Sequence, residues 1–222
     1  MTWKVPPEKI RYSREPIYCS EYTARLDGGY TRFARLYDAA VKMLPFWKTW
    51  LKQVLPHITG PRVLEASFGT GYLLCRYARR FETYGIDFNH RMVDIARRNL
   101  KKIGVRADLR QADVRALPFE NSFFDSVVNT MAFSGYPSGR LAMTEFSRVL
   151  KPGGKLVLLD FDYPADRNLP GCVLVKLMEA AGDIIRDIGR LLSDNSFQYE
   201  EQEIGGFGSV HIFIAKKRSE SE

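Results

Sequence analysis

From residue 62 onward, short apolar runs of strand length alternate with apolar stripes at helical spacing. Residues 62–66 form an apolar strand that runs into Ser67-Phe68-Gly69-Thr70-Gly71, and a helix is predicted over 72–80. Residues 83–87 read as the next strand. Behind it Met92, Ile95, Ala96, Leu100 and Ile103 share one face while Arg97, Arg98, Lys101 and Lys102 turn away, as in an amphipathic helix. Strands follow at 107–113 and 124–129, then a helix over 139–150. A Pro152-Gly153-Gly154 turn leads into 155–161, whose unbroken apolar run marks a strand covered on both faces. Leu174, Leu177, Met178, Ala181, Ile185, Ile188 and Leu192 predict one long helix over 171–192. Two late strands, 197–204 and 209–216, flank Gly205-Gly206-Phe207-Gly208 and suit an antiparallel hairpin.

Strands alternating with helices imply parallel pairing with helices on both faces. The expected fold is α/β: a Rossmann-like, doubly wound, mostly parallel seven-stranded sheet with an antiparallel C-terminal hairpin and an N-terminal helical cap. Residues 1–20, with Pro6, Pro7 and Pro16, read as an extended arm. From Gly28 to about Leu55 the pattern turns helical, with Trp47, Leu51, Val54 and Leu55 in step and Pro56 closing the run. The domain reading is 1–60 arm and cap on the substrate side, 61–217 the sheet domain, and 218–222 a frayed tail.

With 222 residues, 45% of them apolar, the chain can bury a full core. No apolar run approaches the ~18 residues that span a bilayer. The start, residues 1–7, lacks the apolar stretch of a secretory signal, and Cys19, Cys75 and Cys172 stand apart without a C-x-x-C pair. These features lead to the expectation of a cytoplasmic chain without a disulfide framework or structural zinc. The net charge of +7 is uneven, with ten Lys/Arg against five Asp/Glu in residues 1–60. Such a balance suits solvated faces, an anionic acceptor, an anionic membrane surface or nucleic acid.

In a doubly wound sheet, ligands bind beyond the carboxyl ends of the strands where strand order reverses. Glu65-x-Ser67-x-Gly69-x-Gly71 stands there, its glycines permitting a sharp turn and the following helix start offering N–H groups to an anion. Asp87 ends the second strand, where a carboxylate can accept ribose hydroxyls, and Asp113 ends the third, within reach of an adenine amine. Together these point to an adenosine-type cofactor. A dinucleotide fingerprint would place its last glycine at Leu74, which disfavours NAD(P), and Glu65 suits an amine instead.

These segments resemble the class I S-adenosylmethionine-dependent methyltransferases, and within them the ubiquinone/menaquinone biosynthesis C-methyltransferase-like group. The resemblance is carried by Tyr30-x-x-x-Ala34-x-x-Tyr37-Asp38, by residues 63–71, by Gly85-Ile86-Asp87-Phe88 with Met92, by Asp113 with Ala116-Leu117-Pro118-Phe119, and by Val149-Leu150-Lys151-Pro152-Gly153-Gly154. It implies that Glu65, Ser67, Gly69 and Gly71 hold the methionine part of S-adenosylmethionine. Asp87 would bind the ribose, Phe88 and Val114 would flank the adenine, Asp113 would take its amine, and Phe68 and Met92 would also bind the cofactor. Asn129 and Thr130 would line the sulfonium side, closed over by Tyr30 and Tyr37. The family's usual first loop glycine is Ser67 here.

The implied reaction is in-line methyl transfer to a small-molecule or lipid-like acceptor, leaving S-adenosylhomocysteine. Nucleic acid is disfavoured as acceptor, because residues 129–132 read Asn-Thr-Met-Ala rather than an Asn/Asp-Pro-Pro-aromatic run and no Pro-Cys nucleophile is present. Tyr30, Tyr37, Tyr136 and Asp160 are the catalytic candidates, and no metal site is expected. Asp160 and Asp162 bracket Phe161 and suit a magnesium ion, a cationic substrate, a base or a solvated loop. Alternatives are an NAD(P)-dependent oxidoreductase and a non-catalytic S-adenosylmethionine-binding protein of the same fold. A chain lacking residues 1–36 is expected to fold and bind cofactor, though more weakly, but to lose methyl transfer.

Overall fold

The computed structural model describes residues 4–15 and 45–219. Alternate residues of its strands enter two apolar layers, one on each face of the sheet. Val63, Val128, Val157 and Leu159 meet one set of helices, while Leu64, Ala66, Val127, Leu156 and Leu158 meet the other. The strands are β1 (Arg62–Ala66), β2 (Glu82–Asp87), β3 (Asp108–Gln111), β4 (Phe124–Thr130), β5 (Leu150–Phe161), β6 (Phe197–Gly205) and β7 (Val210–Lys217). Their order is β3-β2-β1-β4-β5-β7-β6. All pairings are parallel from β3 to β5 and antiparallel from β5 through β7 to β6. This is the expected doubly wound sheet with its closing hairpin, and strand order reverses between β1 and β4.

The helices are α1 (Pro45–Lys52), α2 (Leu74–Tyr77), α3 (His90–Lys102), α4 (Gly139–Val149), α5 (Leu169–Ala181) and α6 (Ile188–Asp194). On α3, Met92, Val93, Ala96 and Leu100 are buried and the expected basic face is exposed. Among the described residues, no helix is long and apolar enough to cross a membrane.

Several elements differ from their sequence expectations. The single helix over 171–192 is two helices. Gly182 takes a left-handed φ of 117° and ends α5, its N–H bonding back to Met178 and Glu179. Residues beyond the break are then held elsewhere: Ile184 N–H donates to the Ser134 carbonyl, and Ser13 N–H donates to that of Ile185. Helix α2 is one turn rather than a run over 72–80. Strand β3 ends at Gln111, so Asp113 lies in the loop beyond it. Pro152-Gly153-Gly154 forms a bulge inside β5, where pairing jumps from Phe124–Leu150 to Ser126–Lys155.

The arm is a docked strap. Lys4 bridges to Asn168, Val5 N–H donates to the Arg167 carbonyl, and Ser13 Oγ donates to Glu179 at 2.7 Å. The Glu15 carboxylate caps α4, accepting from Gly139 N–H at 2.6 Å and Ser138 Oγ at 2.9 Å, and it meets Arg186 at 3.1 Å. Burial pushes the Glu15 carboxyl up, but Ser138, the α4 N–H groups and Arg186 outweigh it and hold it below its usual value. Tyr30, Tyr37, Cys19 and most of the expected cap lie outside the described residues.

Candidate functional site

One cavity runs across the carboxyl ends of β3, β2, β1 and β4. Asp113 and Val114 stand at its β3 end, Asp87, Phe88 and Met92 follow, Glu65, Ser67, Phe68 and Gly69 form its middle, and Thr130, Met131 and Tyr136 close its β4 end. These positions are far apart in sequence. Parallel pairing of β3-β2-β1-β4 brings them together by placing successive strand ends about 4.8 Å apart.

The loop after β1 turns by left-handed backbone at Ser67 (φ 59°), Gly69 (φ 55°) and Gly71 (φ 75°). A Cβ at Gly69 would meet no protein atom within 4 Å and would stand in open space. At Gly71 a Cβ would come within 2.9 Å of the Ala96 Cβ, so this glycine serves close packing on α3 and does not line the cavity. The loop's N–H groups are largely engaged within the protein. Those of Ser67 and Phe68 donate to the Ile86 carbonyl, that of Gly71 to the Phe68 carbonyl, and that of Gly69 to Asp87 at 2.8 Å. Of the donors at this loop, these four are turned to the protein itself.

Asp87 is buried and aimed by the N–H groups of Gly69 and Asn89, the second at 2.9 Å. Asn89 in turn caps α3. Glu65 is also buried and accepts from the Tyr77 hydroxyl at 2.9 Å. Burial raises its carboxyl to about 8, against the pull of the Tyr77 bond and with added repulsion from Asp87. An acid held this way gains most from a cationic ligand group. Asp113 is paired with Arg115 at 2.6 Å, and that pair holds its carboxyl below the usual range despite burial. Sequence reasoning passed over Arg115, Tyr72 and Met131, which border the cavity together with Trp47 of the expected cap. For Met131 the local signal was absent, since its left-handed φ of 50° follows from its N–H reaching the Leu159 carbonyl.

Two named candidates lie behind the wall. Asn129 is fully buried, its amide donating to the Ala66 carbonyl at 3.0 Å and to the Tyr136 hydroxyl at 2.7 Å. Asp160 is fully buried and accepts from Ser134 N–H at 3.0 Å, Ser134 Oγ at 2.8 Å and Phe161 N–H at 2.7 Å. It fastens the turn of residues 133–135 and does not border the cavity, so the expectation of a catalytic role at Asp160 is corrected. Cys75 is half-buried and burial pushes its thiol up, the behaviour of a packing residue.

The donor set fits an adenosine ligand with a cationic tail: acids at the ends of β1 and β2, one just past β3, and Phe88, Met92 and Val114 as an apolar seat. Comparisons with known proteins agree. The methyltransferase domain family matches residues 64–158. The ubiquinone/menaquinone biosynthesis C-methyltransferase of Syntrophotalea carbinolica is 30% identical over 194 residues, covering 83% of this chain and 80% of that protein. The phosphatidylethanolamine N-methyltransferase of Cereibacter sphaeroides is 38% identical over 103 residues, 46% of this chain and 51% of its own length. Among solved structures, geranyl diphosphate C-methyltransferase of Streptomyces coelicolor superposes with a TM-score of 0.65 at 16% identity, covering 78% of this chain and 77% of that one. A methyltransferase of Thermotoga maritima gives a TM-score of 0.69 at 18% identity over 85% of this chain and 98% of that one.

Proposed function

The chain belongs to the methyltransferase-domain family of class I S-adenosylmethionine-dependent enzymes, and on that premise we propose that it methylates a small or lipid-like acceptor with an apolar body. One observation carries this reading: beside its acids the same cavity is lined by the apolar side chains of Trp47, Met131, Ala132, Tyr136 and Pro137. S-adenosylmethionine supplies a sulfonium that already carries the driving force for displacement of its methyl group.

The chain's own residues bind, orient and exclude water. Glu65 and Asp87 hold the cationic tail and the ribose, Phe88, Met92 and Val114 seat the adenine, and Asp113 with Arg115 borders its edge. The aromatic face of Tyr136 supports a cation by ~0.5–2 kcal/mol. Burial pushes the Tyr136 phenol well up, so it stays protonated and is no general base. Among the described residues, no His, Lys or Cys lines the cavity. An acceptor that carries its own lone pair at neutral pH, as an amine, a thiolate or an ionised quinol does, suits this lining. Such acceptors accord with a cytoplasmic enzyme that meets the membrane surface peripherally. Methyl transfer from labelled donor should reach a prenylated quinol or phosphatidylethanolamine in detergent micelles. Turnover confined to hydrophilic acceptors would overturn the reading.

A further inference from the structure

Ser67 departs from the family's glycine at a position that demands left-handed backbone, a conformation glycine adopts without strain. Its side chain is the end of a buried hydrogen-bond chain. Asn129 has two amide protons and donates both, one to the Ala66 carbonyl at 3.0 Å and one to the Tyr136 oxygen at 2.7 Å. Tyr136 Oη and Ser67 Oγ lie 2.7 Å apart. The Tyr136 oxygen already accepts from Asn129, so the phenol's single proton goes to Ser67. The opposite assignment would strand a phenol proton in the interior, whereas Ser67 borders the cavity. Ser67 Oγ–H is thereby left facing outward, with no acceptor among the described residues.

The N–H groups of Ser67, Phe68, Gly69 and Gly71 have acceptors within the protein, so at this point of the loop the Ser67 hydroxyl is a donor that these backbone groups do not replace. Strand order sets what arrives at Ser67. With adenine seated near β3 and ribose at Asp87 on β2, the amino-acid tail of the cofactor extends over β1. We propose that Ser67 Oγ–H donates to the carboxylate of that tail, and that Tyr136 and Asn129 are positioning residues that hold the hydroxyl for it. This rests on the reading of the cavity as the cofactor site. The chain also ties the acceptor-side turn carrying Tyr136 to the cofactor loop across the point where strand order reverses.

The test is calorimetric titration of wild type, Ser67→Ala, Tyr136→Phe and the double variant with S-adenosylhomocysteine and with methylthioadenosine, which keeps the adenosine and sulfur but lacks the tail. Ser67→Gly serves as a second variant that relaxes the backbone, and circular dichroism checks each fold. Each single change should weaken S-adenosylhomocysteine about 10-fold, as expected for a hydrogen bond to a charged group. Methylthioadenosine should be unaffected, and the double variant no worse than either single one. Unchanged homocysteine-analogue affinity in folded Ser67→Ala, or equal losses for both ligands, overturns the proposal. Asp87→Ala separates the two readings: it should weaken both ligands, and if it weakens neither, the cofactor-site reading falls as well.

Discussion

Buried acids occupy two regions at the carboxyl end of the sheet, and they differ in what surrounds them. On the β1–β2 side, Glu65 and Asp87 border the cavity, Glu65 accepting from the Tyr77 hydroxyl and Asp87 from the N–H groups of Gly69 and Asn89. On the β5–β7 side, Asp160 and Asp162 are enclosed. Asp160 is filled by Ser134 and Phe161. Asp162 accepts from Tyr163 N–H at 2.7 Å and faces the charge of His211, which itself meets Glu201 at 2.6 Å. Burial and a strand end are common to both groups. What separates binding acids from framework acids is an open side toward the cavity, and each group predicts a different response to mutation.

The largest effect belongs to the framework. Arg186 is buried, donates to the carbonyls of Phe133, Ile184 and Tyr136, and pairs with Glu15. Arg186→Ala leaves those acceptors without their cation and should cost about 3–5 kcal/mol in urea unfolding. Unfolding within ~1 kcal/mol of wild type would erase the contrast between the regions.

The next prediction concerns pH. Unfolded Glu65 loses its proton near its ordinary 4.5, and in the folded, ligand-free protein it does so near 8. Between these values the native state holds the extra proton, so stability falls as pH rises, by on the order of 3–4 kcal/mol between pH 5 and 8 from this group. Asp162, raised by burial to about 7, and Asp183, raised by burial to about 6, act in the same direction. Urea titrations from pH 5 to 8 should show this decline, and Glu65→Gln should make it shallower. An unchanged slope would show that Glu65 titrates normally.

Asp87→Ala should weaken S-adenosylmethionine by ~1–3 kcal/mol while leaving most of the fold's stability. Gly69→Val should be worse for binding, since it puts a β-branched residue at positive φ and fills open cavity space. Equal affinity in both folded variants would remove this loop from the site. The smallest effect is Glu15→Gln, which keeps the shape of the α4 cap but removes its charge and should cost about 1 kcal/mol of stability. The same contacts revise the expectation for a chain lacking residues 1–36. Its loss strips Ser13 and Glu15 from α5, α4 and Arg186, so the product should unfold at lower urea than wild type and not behave as an intact domain without its cover.

What the sequence by itself determined is the set of features that depend on near neighbours. Short apolar runs and period-3.6 stripes placed all seven strands and the buried face of α3, because side-chain direction repeats within a few residues. The loop from Glu65 to Gly71 and the strand-end acid Asp87 were legible for the same reason, since a turn that sharp needs glycine and a strand-end acid is local, whereas Asp113 was read as a strand end and lies in the loop past β3. The tertiary structure decided whatever depended on distant partners. The helix breaks at Gly182 because Ile184 and Arg186 bind the turn at residues 133–136, some fifty positions earlier. Asp160 reads like Asp87 in the sequence and becomes framework only when Ser134 folds onto it. Ser67 looks like a tolerated replacement for glycine until Tyr136, 69 positions away, is brought to its hydroxyl. Local geometry repeats along the chain and can be read from it, whereas a hydrogen-bond partner across the sheet exists only once the strands have taken their order.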